Sequence, residues 1–385
     1  MARNRGIYQS EALFVSDDAS ATGSFEHEQL HRVQSANYSF NISRQDINQF
    51  GSLSRIDSVV LEAPTVSLDF SYYLSDGVNE QALGFASNDQ FDIGFASGHL
   101  TASSGKNFYI VTTPEGTDAT TAQTPGSVIG IGNAYISDYT LDVSVGSIPT
   151  VSVSLEAANI SADTTIFGAS SSGISTSSPA IAQTDGSKIT AGVVLPAVTT
   201  GIGADDVTVL RPGDVSITFG NAGTDAEDGP IVDISAGIDG GHIQSASLSL
   251  ALSRSPLERL GSRFPFARTV DFPVTATFNV SAIVNEVTAA NLADIIDSQN
   301  AVEINLVLNR PGTSTASAAF KLVGAKLDSE SISSSIGSNK SVDLTFSTQI
   351  GGPTDATNNI LFSGAAHPGL EFTAAETDVG SLRDN

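Results

Sequence analysis

Apolar and polar residues alternate with period two along several stretches of the chain, the pattern of strands with one buried and one wet face. In the first stretch Ala36, Tyr38, Phe40 and Ile42 share one phase, while Ser35, Asn37, Ser39 and Asn41 share the other. The next opposes Val66, Leu68, Phe70 and Tyr72 to Thr65, Ser67, Asp69 and Ser71. Further on, Ala246, Leu248, Leu250 and Leu252 alternate with Ser245, Ser247 and Ser249, and Ala276, Phe278 and Val280 alternate with Thr275, Thr277 and Asn279. Short helical turns are expected between the members of each pair. Ser255 reads as an N-cap, Pro256 as the first helical position, Glu258 as the partner in a capping box and Gly261 as the stop. Ser43, Asp46 and Gly51 outline the same turn earlier. A second helix is expected over 288–298, where Leu292, Ile295 and Ile296 fall on one side.

The chain also resembles itself. Residues 33–44 return as 243–254 at an offset of 210, and both copies run on to a Gly-Ser pair, Gly51-Ser52 and Gly261-Ser262. Residues 134–147, followed by 151–155, return as 325–338 and 342–346 at an offset of 191. The blocks keep their order, which predicts two tandem domains of one fold. The first copy spans 7–170 and the second 206–365, opened by matching strands near Glu11 and Asp214. The offsets differ by 19 residues, so the first copy carries extra length, placed in a Gly/Ser/Thr-rich excursion over about 75–125. Residues 171–205 read as a Ser/Thr/Gly-rich linker crossing the surface, and 366–385 as an acidic tail.

The chain of 385 residues is long enough for two cores. It carries 17 basic against 42 acidic residues, a net charge of −25 that repels nucleic acid phosphates and argues against a DNA-reading protein. Only 15% of residues are charged, so the polar surface must be built of Ser, Thr, Asn, Gln and Gly, which suits strands. Cys and Trp are absent, which removes disulfides, thiolate metal sites and Cys nucleophiles. The basic start Met1 to Tyr8 has no apolar run behind it, and no apolar run approaches the ~18 residues of a membrane span. A soluble protein made in a cytoplasm, without a cleaved signal, is expected.

One string looks catalytic. His27-Glu28-Gln29-Leu30-His31 matches the His-Glu-x-x-His zinc pattern, which requires a helix to bring both imidazoles to one metal. An alternating strand opens at about Arg32, leaving no room for that helix, and the second copy has Asp239-Gly-Gly-His242 at the matching place. Asp225, Glu227, Asp228, Asp233 and Asp239 lack the spacing of a calcium loop and read as a solvated acidic loop. Gly130-Ile-Gly132 lacks the third glycine of a dinucleotide fingerprint and reads as a turn. An enzyme is not expected, nor a cofactor or metal.

The run from Gln34 to Gly51, beginning Gln-Ser-Ala-Asn-Tyr-Ser-Phe, together with the run from Ile136 to Glu156, resembles the tail tube proteins of long-tailed bacteriophages. Through the internal repeat the likeness covers most of the chain. It implies a mainly β fold, two tandem tail-tube-type β-sandwich or barrel domains with short flanking helices. It further implies three chains per ring with pseudo-six-fold symmetry, rings stacked into a conduit, and a place in the virion after assembly in the host cytoplasm. The implied partners are other copies of the chain, the tape measure, terminator and baseplate or tip proteins of the tail, and DNA only as passing cargo, with no membrane. On that reading the lumen-facing residues are Ser35, Asn37, Ser39, Asn41, Thr65, Ser67, Asp69, Ser71, Ser245, Ser247, Ser249, Thr275, Thr277 and Asn279. Any solvent-facing sheet shows the same alternation. The alternative function is a secreted or virion-surface β-repeat adhesin or decoration protein.

Overall fold

The alternating stretches fold as strands in a computed structural model of the chain. It describes residues 11–16, 27–87, 93–113, 118–120, 126–164, 173–182, 186–200, 209–221, 241–284, 301–313, 315–335, 339–355 and 357–365. The first half runs β1 (Glu11–Ser16), β2 (His27–Leu30), β3 (Val33–Asn41), β4 (Arg44–Ile47), β5 (Asp57–Val60), β6 (Thr65–Tyr73), α1 (Val78–Leu83), α2 (Ser97–Thr101), β7 (Lys106–Thr112), β8 (Ser127–Ser144), β9 (Thr150–Ala157) and β10 (Asn159–Asp163). Then come β11 (Ile174–Ser177) and β12 (Gly192–Leu195). The second half runs β13 (Val215–Asn221), β14 (Gly241–Ala251), β15 (Arg254–Leu257), β16 (Ala267–Val270), β17 (Val274–Val284), β18 (Val302–Asn309), β19 (Ala316–Ser333), β20 (Ser341–Ile350) and β21 (Asn359–Gly364).

Every strand pair among the described residues is antiparallel. One layer has the order β3-β6-β9-β8-β14-β17-β20-β19, so strands from both halves form one surface. A second layer of the first half carries β2-β1-β7 onto the start of β8, with β10 on its other side. In the second half β13-β18 joins the start of β19, with β21 on its other side. β8 and β19 thus pass from one layer into the other, and a strand that changes layers must bend. Both have a residue with positive φ near the middle, Asn133 at 55° and Gly324 at 73°. Each also has a register shift shortly after, between Ile136 and Asp138 and between Leu327 and Ser329.

Buried residues of the layers interlock in one cluster spanning both halves. Leu68, Phe70, Leu155, Leu141, Leu248, Phe278 and Phe346 come from the eight-strand layer, and Phe108, Ile131, Leu306 and Phe320 from the other. Phe70 packs on Phe108 across the gap, with ring centres 5.9 Å apart.

Several expectations are corrected. The two helical turns are hairpins: Arg44 pairs with Val60 in β4–β5, and Arg254 with Val270 in β15–β16. Gly51 and Gly261, with φ of 90° and 88°, serve hairpin turns rather than helix ends. Pro256 is tolerated because β15 belongs to a sheet of only two strands, where a missing N–H need not break a ladder. The excursion is narrower than 75–125, since β7, at Lys106–Thr112, is a sheet member paired with β8. Part of it is packed into the core. Phe95 stacks on Phe85 at 4.3 Å and meets Phe320 and Phe362 of the second half at 5.6 and 5.2 Å, while its N–H donates to the Ile360 carbonyl. Both α-helices of the described residues, α1 and α2, lie in this wedge. The stretch 171–205 is not a bare linker, because β11 pairs with β12 and Ile174, Val193 and Leu195 pack with Phe14, Tyr109 and Val128. The helix expected over 288–298, the acidic loop at 225–239 and the tail 366–385 lie outside the described residues.

Candidate functional site

Residues directly opposite in an antiparallel pair point to the same face, so the register decides which side chains gather. Asn37 lies opposite Asp69 and Ser39 opposite Ser67, while Ser247 faces Asn279 and Ser249 faces Thr277. The neighbours Ser35, Ser71, Ser245 and Thr275 keep this phase, as do Asn41 and Thr65 at the ends of their strands. The structure therefore brings all fourteen candidate residues to one polar face of the eight-strand layer. Apolar partners such as Leu68, Phe70, Leu248 and Phe278 are buried beneath.

Four strands absent from the candidate set also contribute. One row of paired positions crosses the layer as Ser35, Ser71, Ser152, Thr140, Ser249, Thr277, Ser347 and Lys326. For β8 the signal was present in the alternation of Asp138, Thr140, Asp142 and Ser144 with Tyr139, Leu141 and Val143. Hydroxyls bridge the strands along the face: Ser35 to Ser71 at 2.7 Å, Ser39 to Ser67 at 2.8 Å, and Asn279 Nδ2 donating to Ser247 Oγ at 3.4 Å.

The face is acidic. Asp69, Asp138, Asp142, Glu156 and Asp343 share its phase with one basic side chain, Lys326, among the described residues of these strands. At its rim Arg268 pairs with Glu156 at 3.0 Å. A wide, shallow, anionic surface of short hydroxyls and amides repels phosphates, and among the described residues of these strands it offers a polyanion a single cation, Lys326.

The layer has an internal seam and two ends. At the seam β8 of the first half pairs with β14 of the second over Asp138–Ser144, with Thr140 Oγ1 donating to Ser249 Oγ at 3.4 Å. The ladder is extended by Leu252 N–H donating to the Ser137 carbonyl at 2.8 Å and by Val145 N–H donating to that of Gln244 at 2.9 Å. From the adjoining hairpin Arg254 stacks over Tyr135 at 4.6 Å and donates to the carbonyls of His99 and Ala102. Among the described residues, β3 pairs with no strand on its outer side at one end, and at the other the final stretch of β19 pairs only with β20. Tyr38, Phe40 and Ile332 on these edges are 43%, 58% and 42% exposed, although they stand in the apolar phase.

His27–Leu30 is β2, where positions four apart lie ~13 Å apart, too far to share a metal. Among the described residues no three His, Asp or Glu side chains converge as a metal site. Gly130 and Gly132 sit within β8, not in a turn: a Cβ at Gly132 would lie 2.3 Å from the Pro179 carbonyl oxygen. Glu80, on α1, is buried between Tyr72 and Tyr139, whose hydroxyls donate to its Oε1 at 2.7 and 3.2 Å. Burial pushes its carboxyl up, against those hydrogen bonds. His99 is pushed down to about 3, first by burial and then by Lys106 and Arg254, so it is neutral at pH 7. No helix of the described residues is long and apolar enough to cross a membrane. Compared with known protein families the chain matches no family model, and it matches no curated protein.

Proposed function

We propose that the chain is a structural virion protein of two tandem tube domains, and that three copies form a pseudo-six-fold ring that stacks into a phage tail tube. The observation that carries this reading is the seam, where β8 and β14 join two halves of like strand order into one sheet. The order β3-β6-β9-β8-β7-β1 recurs as β14-β17-β20-β19-β18-β13. Details recur too: Gln34 donates to the Arg32 carbonyl beside one register shift, and Gln244 to that of His242 beside the other.

A duplicated unit that joins through one edge and leaves the complementary edges open polymerises, and closure into a ring removes the open edges. The polar acidic face then lines the lumen, where DNA must pass without sticking. Electron microscopy of the purified protein, concentrated to drive assembly, tests this. Rings or tubes with three chains per layer are expected, and a monodisperse monomer at every concentration would contradict it. A virion-surface adhesin or decoration protein is the second reading, favoured by Phe50, Leu53 and Leu260 standing fully exposed at hairpin tips. The same micrographs separate the two.

A further inference from the structure

Among the described residues the eight-strand layer has two edges without a partner strand, and the internal seam provides a register against which to test their fit. β3 stands to β14 at an offset of 210 and the end of β19 to that of β8 at 191, the offsets of the sequence repeats. At the seam Ser247 pairs with Asp142, Leu248 with Leu141, Ser249 with Thr140 and Leu250 with Tyr139. Subtracting 210 from one member and adding 191 to the other gives Asn37 with Ser333, Tyr38 with Ile332, Ser39 with Ser331 and Phe40 with Glu330. Resting on the ring reading above, we propose that a second copy of this chain seats its β19 edge on β3 in this register.

Three observations converge. Of the apolar residues left exposed on the edges, Tyr38 and Ile332 are brought opposite each other, as the buried pair Leu248 and Leu141 is at the seam, while Phe40 meets Glu330. Polar Ser39 and Ser331 continue the face, as Ser249 and Thr140 do. β3 is a nine-residue edge containing neither Lys nor Pro, the usual guards of an edge left free. The hairpin β15–β16 beside the seam leans on the first half, with Phe264 and Pro265 lining a hollow with Tyr135 and Ile181. Its counterpart β4–β5, which bears Phe50 and Leu53 at its tip, would lie against the neighbouring copy in the same way.

The joint is not a replica of the seam. Glu330 stands in place of Tyr139, and Lys326 in place of Tyr135, so Arg44 cannot repeat the stacking of Arg254. Less apolar surface is closed between copies than within one. The chain should therefore fold as a monomer first and assemble in a later, concentration-dependent step.

Because the chain contains no Cys, introduced pairs report without background. Disulfides require Cα atoms ~4.4–6.8 Å apart, which neighbouring strands meet only in register. S39C/S331C and N37C/S333C, oxidised after assembly, should link copies, at least tenfold more efficiently than the slipped pair S39C/S333C. T140C/S249C should close within one chain and marks a folded seam. Linking by the slipped pair at equal efficiency, or rings seen by microscopy that neither in-register pair links, would overturn the register while leaving the ring reading intact. A protein that closes the T140C/S249C link yet stays monomeric would overturn both.

Discussion

The hydroxyl of Thr140 lies 3.4 Å from that of Ser249, 109 residues away along the chain, and each belongs to a different half of the molecule. Beside them Leu141 and Leu248 form a pair with no exposure at all. A contact of this kind makes the halves one cooperative unit. Leu248→Ala should lower the stability of the monomer by about 2–5 kcal/mol through lost burial and an unfilled cavity. Tyr38→Ala, at the corresponding place on the open edge, should cost the monomer less than about 1 kcal/mol, because its ring is already 43% exposed. Urea unfolding of the two variants at low protein concentration measures the difference. Equal losses would mean that the edge is buried within one chain.

Glu80 gives the stability of the chain a pH dependence. Its carboxyl is raised in the folded chain by burial, so the folded state favours the protonated form relative to the unfolded one. The stability this contributes is complete below the ordinary Glu range and is lost as pH rises through the elevated value. Glu80→Gln stays neutral and keeps an oxygen that accepts from Tyr72 and Tyr139. The stability of the variant relative to the wild type should therefore increase between pH 4 and pH 7. Thermal unfolding across that range checks it, and a difference that does not change with pH would show that Glu80 ionises freely.

Asn133 does two tasks where β8 changes layers. Its backbone takes a φ of 55°, and its side chain accepts from the Ile181 N–H at 2.7 Å and donates to the Ile181 carbonyl at 3.1 Å. Asn133→Gly keeps the backbone conformation but strips both bonds from buried groups, at a cost of about 1–3 kcal/mol for each group left unpaired. Asn133→Ala loses the bonds and adds ~1–2 kcal/mol of left-handed strain. Stability should fall in the order wild type, Gly, Ala by chemical denaturation.

The strands were legible because alternation over eight or nine residues leaves one solution for a sheet with a single buried face. Val66 to Tyr72 on β6 shows this at every position. The hairpins were misread because Ser255, Pro256 and Gly261 suit a helix end and a hairpin equally well within so short a segment. What decides is whether the returning chain pairs, and no local signal carries that. The packing of the wedge around Phe95 is not legible in the sequence, because its partners, Phe320 and Phe362, lie more than 200 residues away. The polar face was found only in part. Strands β8 and β9 carry the same alternation, but their place between β6 and β14 is a matter of topology rather than of pattern.

The most direct test of the central claim is DNA passage through tails whose polar face has been made cationic. Asp69 and Asn279 are exposed on that face, and replacing either by Arg should change monomer stability by no more than about 0.5 kcal/mol. Each substitution would recur in every copy along the tube, producing a ladder of cations that hold phosphates and release counterions. Ejection of packaged DNA from particles with D69R or N279R tubes should be slowed at low salt and recover as salt rises, whereas N279Q should eject as wild type does. Unchanged ejection at low salt, from particles with intact tails, would contradict the account, because the face would then not line the path of the DNA.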